Sequence, residues 1–419
     1  MYKGKVVLAY SGGLDTSVAI KWLMDQGYDV VTFTADVGQT VDLEACKERA
    51  LFIGACNACV MDLKDEFVHD FVWPALKANA MYQGTYPLTS ALSRPLISKY
   101  LAKIADAEGA VAVAHGCTGK GQDQVRIEIC ARALKPDLKV FAPVRDWHFS
   151  RDDEIDYAKE HGIPIPVTKK SPYSIDENLW GRSIECGPLE DPWTEPPSDA
   201  FTITADPWNT PNDPEYIEIA FKGGLPIALN GIEMDGVSLI ARLNEIAGKH
   251  GVGRIDMIED RLVGFKSREV YECPAPVVLL QAKKALEKMT LAKDLIAVKA
   301  DLELKYAELA YVGYWFSPLR EALDAFFNQA QKVVNGVVRV RLYKGQSVVV
   351  GLKSPNSLYV NDLATYSSGD TFDHSSAVGF INIWGLPIIT WKQVHGFAKK
   401  EDGYENSVVL DKETINSKY

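Results

Sequence analysis

Lys5-Val6-Val7-Leu8-Ala9-Tyr10-Ser11-Gly12-Gly13-Leu14-Asp15-Thr16-Ser17 joins a strand to a helix through a loop suited to holding phosphate. Lys5 to Tyr10 is a short apolar β-type run, as expected of a buried parallel strand. Thr16 to Met24 reads as a helix, with Val18 and Trp22 at helical spacing. Gly12 and Gly13 let the backbone turn sharply and bring its N–H groups close to an anion. Ser11, Thr16 and Ser17 add hydroxyl donors, and the helix aims its positive dipole end at the same place. Such a loop suits a polyphosphate.

The loop is not the common P-loop, because no lysine follows the glycines to clamp a γ-phosphate. Nor does it fit the Gly-x-Gly-x-x-Gly dinucleotide fingerprint. A bare Gly/Ser turn joining strand to helix is the plainer alternative. It leaves the register of Ser11, Asp15, Thr16 and Ser17 unexplained. That register resembles the SGGxDS loop of the N-type ATP pyrophosphatases, which release pyrophosphate from ATP and transfer AMP.

Outward from the loop, the first 165 residues alternate strand and helix. Strands are expected at Asp29–Ala35, Ala58–Leu63, Ala110–His115 and Lys139–Pro143. Helices are expected at Leu43–Phe52, Glu66–Asn79 (interrupted at Pro74), Leu92–Glu108, Asp123–Leu134 and Ser150–His161. This order implies a parallel sheet with helices on both faces, whose ligands bind at the carboxyl ends of the strands. That rule brings together the Ser11 loop, Ala35-Asp36-Val37-Gly38, and His115-Gly116-Cys117-Thr118-Gly119-Lys120-Gly121. The third segment is also glycine-rich and precedes a helix, so its N–H groups can face an anion. Thr118, Gln122, Asp123 and Arg126 cluster at the start of that helix. There an arginine could hold a substrate carboxylate and Asp123 could accept from an ammonium group. An ordinary helix start with a solvated Asp–Arg pair is the alternative, and proximity to the phosphate loop argues against it.

Composition limits the options. A chain of 419 residues suggests two or three domains, and a hydrophobic content of 47% suits a globular enzyme. The formal net charge of −11 argues against a nucleic-acid partner. No apolar run is long enough to span a bilayer, so a cytoplasmic protein is expected. The seven cysteines are scattered and odd in number, which is no disulfide framework. Cys56-Asn57-Ala58-Cys59 lacks a second ligand pair for zinc, and Cys59 opens an apolar strand as a small hydrophobe. No protein-held metal site is expected.

From Pro164 the character changes to Pro-rich and polar stretches between short strand-like runs, an α+β pattern. Pro276 to Ala310 reads as helical, and Val337–Tyr343 with Ser347–Lys353 as a hairpin around Lys344-Gly345-Gln346. Ser174–Asn178, Gly181–Glu185, Gly251–Asp256 and Glu259–Tyr271 are polar clusters that read as loops. The expected divisions are 1–165, for nucleotide binding, then 166–365 and 366–419.

Several separated blocks together resemble the argininosuccinate synthase family over essentially the full length. They are Ala9–Ser17, Gly116–Arg126, Asp176-Glu177-Asn178-Leu179-Trp180, Gly253-Arg254-Ile255-Asp256, and Lys266-Ser267-Arg268 to Tyr271-Glu272. The resemblance implies ATP binding at Ala9, Tyr10, Ser11, Gly12, Gly13, Leu14, Asp15, Thr16, Ser17, Ala35 and Gly116. It implies an aspartate site at Thr118, Gln122 and Asp123. Citrulline would meet Tyr86, Gln122, Arg126, Ser174, Ser183, Glu259 and Tyr271. Asp15, Ser17, Asp123 and Arg126 are the candidate catalytic residues. Two departures stand out. The family usually has Asn at the position of Gln122, and often Gly-Thr-Ser where this chain has Thr89-Ser90-Ala91. The resemblance also implies a homotetramer whose C-terminal extension reaches across subunits.

The implied reaction ligates citrulline and aspartate through a citrullyl adenylate, with Mg²⁺ on the ATP phosphates, releasing AMP and pyrophosphate. It needs positioning and charge stabilisation more than a nucleophile, which suits a site rich in glycine N–H groups and hydroxyls. Two other readings stay open: another adenylating pyrophosphatase such as a tRNA-modifying enzyme, and a nucleotide-binding regulatory module without turnover.

Overall fold

The structure is a computed structural model that describes residues 2–147, 149–164 and 172–395. Its first layer runs β1 (Lys5–Ala9), α1 (Leu14–Asp25), β2 (Asp29–Asp36), α2 (Leu43–Ile53), β3 (Asn57–Asp62), α3 (Lys64–Phe67), α4 (Trp73–Lys77), α5 (Thr89–Ala107), β4 (Ala112–Ala114), α6 (Asp123–Leu134), β5 (Lys139–Phe141), α7 (Pro143–Asp146) and α8 (Arg151–Glu160). The five strands form one parallel sheet in the order β3-β2-β1-β4-β5. Alternate residues of β1 enter opposite cores. Val7 packs with Leu92 and Leu96 of α5 and Ile127 of α6. Val6 and Leu8 pack with Val18 and Leu23 of α1 and Ala50 of α2. Helices therefore cover both faces, as the alternating pattern implies. The chain leaves β1 in one direction through β2 and β3, then returns to β4 on its other side. The carboxyl ends of β1 and β4 thus form the topological switch point, where open α/β sheets bind ligands.

Two helix expectations change in detail. Residues 64–77 are helical throughout, with a π turn at Val68–Val72 leading into Pro74. The wider turn absorbs the proline's missing N–H. Helix α5 begins at Thr89 and not at Leu92. Leu88 caps it in a left-handed conformation, φ +64°, and the Tyr86 hydroxyl accepts the Ser90 N–H at 3.1 Å.

The second layer contains β6 (Ser174–Asn178), β7 (Gly181–Glu185), β8 (Glu215–Lys222), β9 (Leu225–Leu229), β10 (Ile232–Glu233), α9 (Gly236–Lys249), β11 (Arg254–Asp260), β12 (Lys266–Glu272), α10 (Pro274–Thr290), α11 (Lys293–Tyr311), α12 (Pro318–Gln331), β13 (Gly336–Tyr343) and β14 (Gln346–Lys353). The polar clusters read as loops are largely strands. β11-β12-β7-β6 is one four-stranded antiparallel sheet, and β10-β9-β8-β13-β14 is another sheet of five. The apparent single helix at 276–310 is α10 and α11, parted where Leu291 turns extended at φ −100°, ψ 145°. The β13–β14 hairpin forms as expected: Lys344 and Gly345 take φ +47° and +80°, the signature of a type I′ turn.

The chain divides into two compact units, Met1–Leu358 and Tyr359–Tyr419. The parallel sheet and both antiparallel sheets lie in the first, and one hydrophobic cluster runs from Phe33 and Leu96 to Ile219 and Val338. The expected division at residue 165 lies outside the described residues. In the second unit, α13 (Asn361–Ala364) precedes α14 (Ser376–His395), along which Phe380, Ile383, Trp384 and Ile388 are exposed. Among the described residues, no helix is long and apolar enough to cross a membrane.

Candidate functional site

Two loops meet at the switch point. In the first, Ala9 closes β1 and Tyr10 is buried, its hydroxyl paired with that of Ser17 at 3.1 Å. Ser17 is fully buried and so faces Tyr10 and not the loop's mouth. Ser11 Oγ lies 3.1 Å from Thr16 Oγ1 and accepts the Gly13 N–H at 3.3 Å. Gly12 has φ +77°, and Arg49 of α2 donates to its carbonyl at 2.7 Å. Leu14 opens α1 with its side chain buried, and Asp15 sits in the first turn. Beside Asp15 is buried Glu154 of α8. Burial, then the Asp15 carboxylate, pushes its carboxyl well above the usual range. Ala35 lies near the end of β2, on the rim of the same edge.

The second loop packs directly on the first. A Cβ added at Gly116 would stand 2.7 Å from Thr16 Cγ2, so only glycine permits this approach. A hydrogen-bonded brace sets the loop's shape. His115 is fully buried, and its Nδ1 accepts the Cys117 N–H at 3.2 Å, leaving the other ring nitrogen to carry hydrogen. That Nε2 lies 3.5 Å from Glu128, which also binds Arg145 at 2.8 Å. Arg145 holds Gln124 at 3.0 Å, and Gln124 donates to the carbonyls of Gly119 and Gly121. His115 and, against the effect of burial, Arg145 hold the Glu128 carboxyl down to about 2. Thr118 is exposed at the tip of this loop.

Next to both loops, the residues expected to meet the amino acids form one connected set of side chains. Asp123 binds Arg126 and Arg94, each at 2.7 Å, and Arg94 also pairs with Asp176. Burial opposes ionisation of Asp123, but Arg94 and Arg126 outweigh it and hold the carboxyl well below its usual range. It is a carboxylate at neutral pH, ready to accept from an ammonium group. Gln122 donates to the Tyr311 hydroxyl at 3.0 Å, which donates to Glu259 at 2.7 Å. The other Glu259 oxygen accepts from Tyr271 at 2.9 Å. Tyr86 stacks on Tyr271 with centroids 4.4 Å apart. Burial pushes the phenols of Tyr86 and Tyr271 above their ordinary range, so both remain protonated donors.

Sheet register explains why these residues converge. Tyr271 pairs with Ser183, and Ser183 with Asp176, in a row across three strands. Ser183 Oγ lies 3.4 Å from Ser90 Oγ at the start of α5. Ser174 stands at the exposed start of β6, on the face it shares with Asp176, and is the outlying member of the predicted set. Ala91 is fully buried, while its neighbour Ser90 turns its hydroxyl toward Ser183.

Three residues here escaped sequence reading. Arg94 bridges Asp123 and Asp176, Arg49 braces the phosphate loop, and Tyr311 lies between Gln122 and Glu259. Each comes from a helix with no motif of its own. Arg94, the one charged residue in the stretch Thr89–Ser98 that opens α5, was the one available signal.

Two family models together span this architecture. The arginosuccinate synthase N-terminal HUP domain matches residues 5–164, and the arginosuccinate synthase C-terminal domain matches residues 173–391. The chain belongs to the argininosuccinate synthase family. It is an enzyme of that type. The argininosuccinate synthase of Bacillus pumilus is 60% identical over 383 residues, covering 91% of this chain and 95% of its own. That of Geobacillus kaustophilus is 58% identical over 96% of this chain and 98% of its own, and that of Oceanobacillus iheyensis 55% over 99% and 98%. A solved 4-thiouridine synthetase–RNA complex with bound ATP covers 38% of this chain and 41% of its own at 23% identity. Its TM-score of 0.29 is too low to bear on function.

Proposed function

We propose that this enzyme joins citrulline to aspartate at the expense of ATP, through a citrullyl adenylate, giving argininosuccinate, AMP and pyrophosphate for arginine biosynthesis. The observation that carries the reading is the contact of the Ser11 and Gly116 loops beside a pocket that offers both carboxylates and guanidinium groups. A ureido carbon resists amines because its oxygen leaves poorly. Attack of that oxygen on the α-phosphorus expels pyrophosphate and makes AMP the leaving group. The aspartate amine then attacks the ureido carbon, and the C–O bond to AMP breaks.

The residues take roles that match their chemistry. Loop N–H groups, with the Ser11 and Thr16 hydroxyls, hold the phosphates, while Ser17 and Asp15 shape the start of α1. Ala35, near the rim, belongs to the nucleotide side. Asp123 takes the ammonium of aspartate, assisted by Thr118 and Gln122. Arg126 receives a citrulline carboxylate and Glu259 its ammonium, with Tyr86, Tyr271, Ser183 and Ser174 around the chain. Mg²⁺ would be held by the phosphates. Among the described residues no group of three or more His, Cys, Asp or Glu converges on a metal position, and the loop's hydroxyls and N–H groups fit phosphate oxygens. When bound, the ion neutralises developing phosphate charge.

The exposed apolar face of α14 supports a homotetramer in which the C-terminal extension packs on another subunit. A cytoplasmic location and the absence of a nucleic-acid partner fit the acidic balance. The test is product analysis: AMP, pyrophosphate and argininosuccinate should form from ATP only when citrulline and aspartate are both present. AMP formation with tRNA alone would favour a tRNA-modifying enzyme, and absence of turnover a regulatory module.

A further inference from the structure

We propose that Tyr311 is a positioning residue that couples recognition of the two amino acids, an inference that rests on the function proposed above. Tyr311 ends α11 and is 1% exposed. Its ring lies flat on Tyr82, with centroids 3.5 Å apart, and under the Arg126 guanidinium at 4.7 Å. Its carbonyl accepts from Arg126 Nε at 2.8 Å. Position and orientation of the phenol are therefore fixed from both faces.

The hydroxyl of Tyr311 links the two substrate sides. It donates to Glu259 Oε1 at 2.7 Å, with the Asp260 carbonyl a longer alternative at 3.3 Å. With its hydrogen committed to a carboxylate, the oxygen can only accept, so Gln122 must present its amide N–H₂, at 3.0 Å. This fixes the sense of the amide. Gln122 Oε1 is then buried with no partner, in a side chain 7% exposed. A buried acceptor without a donor is costly unless something fills it. A substrate ammonium or ureido N–H supplies the missing donor.

Gln122 in this chain makes the link. An Asn amide would stop about 1.5 Å short, one carbon–carbon bond, and lose contact with Tyr311. The longer side chain is therefore matched by a tyrosine at 311. A citrulline ammonium on Glu259 draws off part of the carboxylate's negative charge, so the Tyr311 hydroxyl is less polarised and the Gln122 oxygen that faces aspartate becomes a weaker acceptor. Binding of either amino acid should therefore weaken binding of the other, by the same factor in both directions.

The experiment compares citrulline KM at low and saturating aspartate, with ATP and Mg²⁺ saturating, in wild type and Tyr311→Phe. The phenylalanine keeps the stack on Tyr82 and the contact with Arg126. In wild type, saturating aspartate should raise citrulline KM several-fold. In Tyr311→Phe, KM for both amino acids should rise about tenfold, as expected for loss of a hydrogen bond to a charged group. The aspartate dependence should vanish, with kcat within about threefold and melting temperature unchanged. Gln122→Asn cuts the same bond from the other side and should give the same loss of coupling. The double variant should be no worse than either single one. Gln122→Asn alone serves as the arbiter if Tyr311→Phe does not fold. Unchanged KM values and retained coupling in a folded variant overturn the proposal, as does a fall in kcat alone with a lowered melting temperature. A wild type that makes no AMP from citrulline and aspartate would instead overturn the proposed function.

Discussion

Gly116→Ala isolates the packing of the two phosphate loops. The new Cβ would stand 2.7 Å from Thr16 Cγ2, where ordinary contact begins near 3.4 Å, so the loops must part by about 0.7 Å. Misplacement of reacting groups by about 1 Å can cost about a hundredfold in rate. Scaled to this gap, kcat/KM for ATP should fall roughly 25-fold. The fold should survive, because overpacking of this size costs about 1–3 kcal/mol out of a total of about 5–15 kcal/mol. The structure also supplies a rescue. Thr16→Ser removes Cγ2, the atom in conflict, and keeps the hydroxyl that pairs with Ser11 at 3.1 Å. Thr16→Ser alone should lie within about threefold of wild type, and the double variant should regain most of the loss. Pyrophosphate release under varied ATP, with thermal melting as the control for folding, reads all four proteins. Wild-type kcat/KM in Gly116→Ala would refute the claim that this contact sets the phosphate geometry. So would a double variant no better than Gly116→Ala.

Gly12→Val should abolish ATP turnover while the protein remains folded. Gly12 has φ +77°, and a Cβ there would overlap Cys46 Sγ and come within 3.3 Å of Arg49; retained pyrophosphate release contradicts the loop assignment. Glu128→Gln should flatten the acid limb of stability. The native carboxyl is held down to about 2, against about 4.3 for an unpaired one, so Glu128 stabilises the fold above the higher value. That contribution is lost as pH falls toward the lower one. Denaturant midpoints between pH 5 and 2.5 measure this (about the reachable window for that titration), and parallel curves for variant and wild type would contradict it. Removal of residues 359–419 should reduce the proposed homotetramer to smaller species by light scattering, since α14 carries the exposed apolar face; an unchanged mass would contradict that role.

The nucleotide-binding half was legible because its signals are local. A glycine pair in register with hydroxyls, and strands bounded by turns, carry their own periodicity, and the parallel order follows from alternation alone. Chain topology then placed Ser11 and Gly116 together without any contact being visible in the sequence. The residues proposed for the amino-acid pocket were suggested only by family resemblance. Strands β6, β7, β11 and β12 turn polar faces to the site, so Ser183, Glu259 and Tyr271 interrupt the alternation that would mark a half-buried strand. Tyr311 and Arg94 lie on helices that carry no motif, 189 residues from Gln122 in the first case, and only packing brings them in. The break between α10 and α11 was hidden because Leu291 is an apolar residue that fits a helical pattern equally well.

Citrulline labelled with oxygen-18 in the ureido group tests the central claim most directly. If the ureido oxygen attacks the α-phosphorus and leaves with AMP, mass spectrometry should find the label in AMP, with none in pyrophosphate or water. Label in pyrophosphate or water, or AMP formed without it, would contradict the adenylate account.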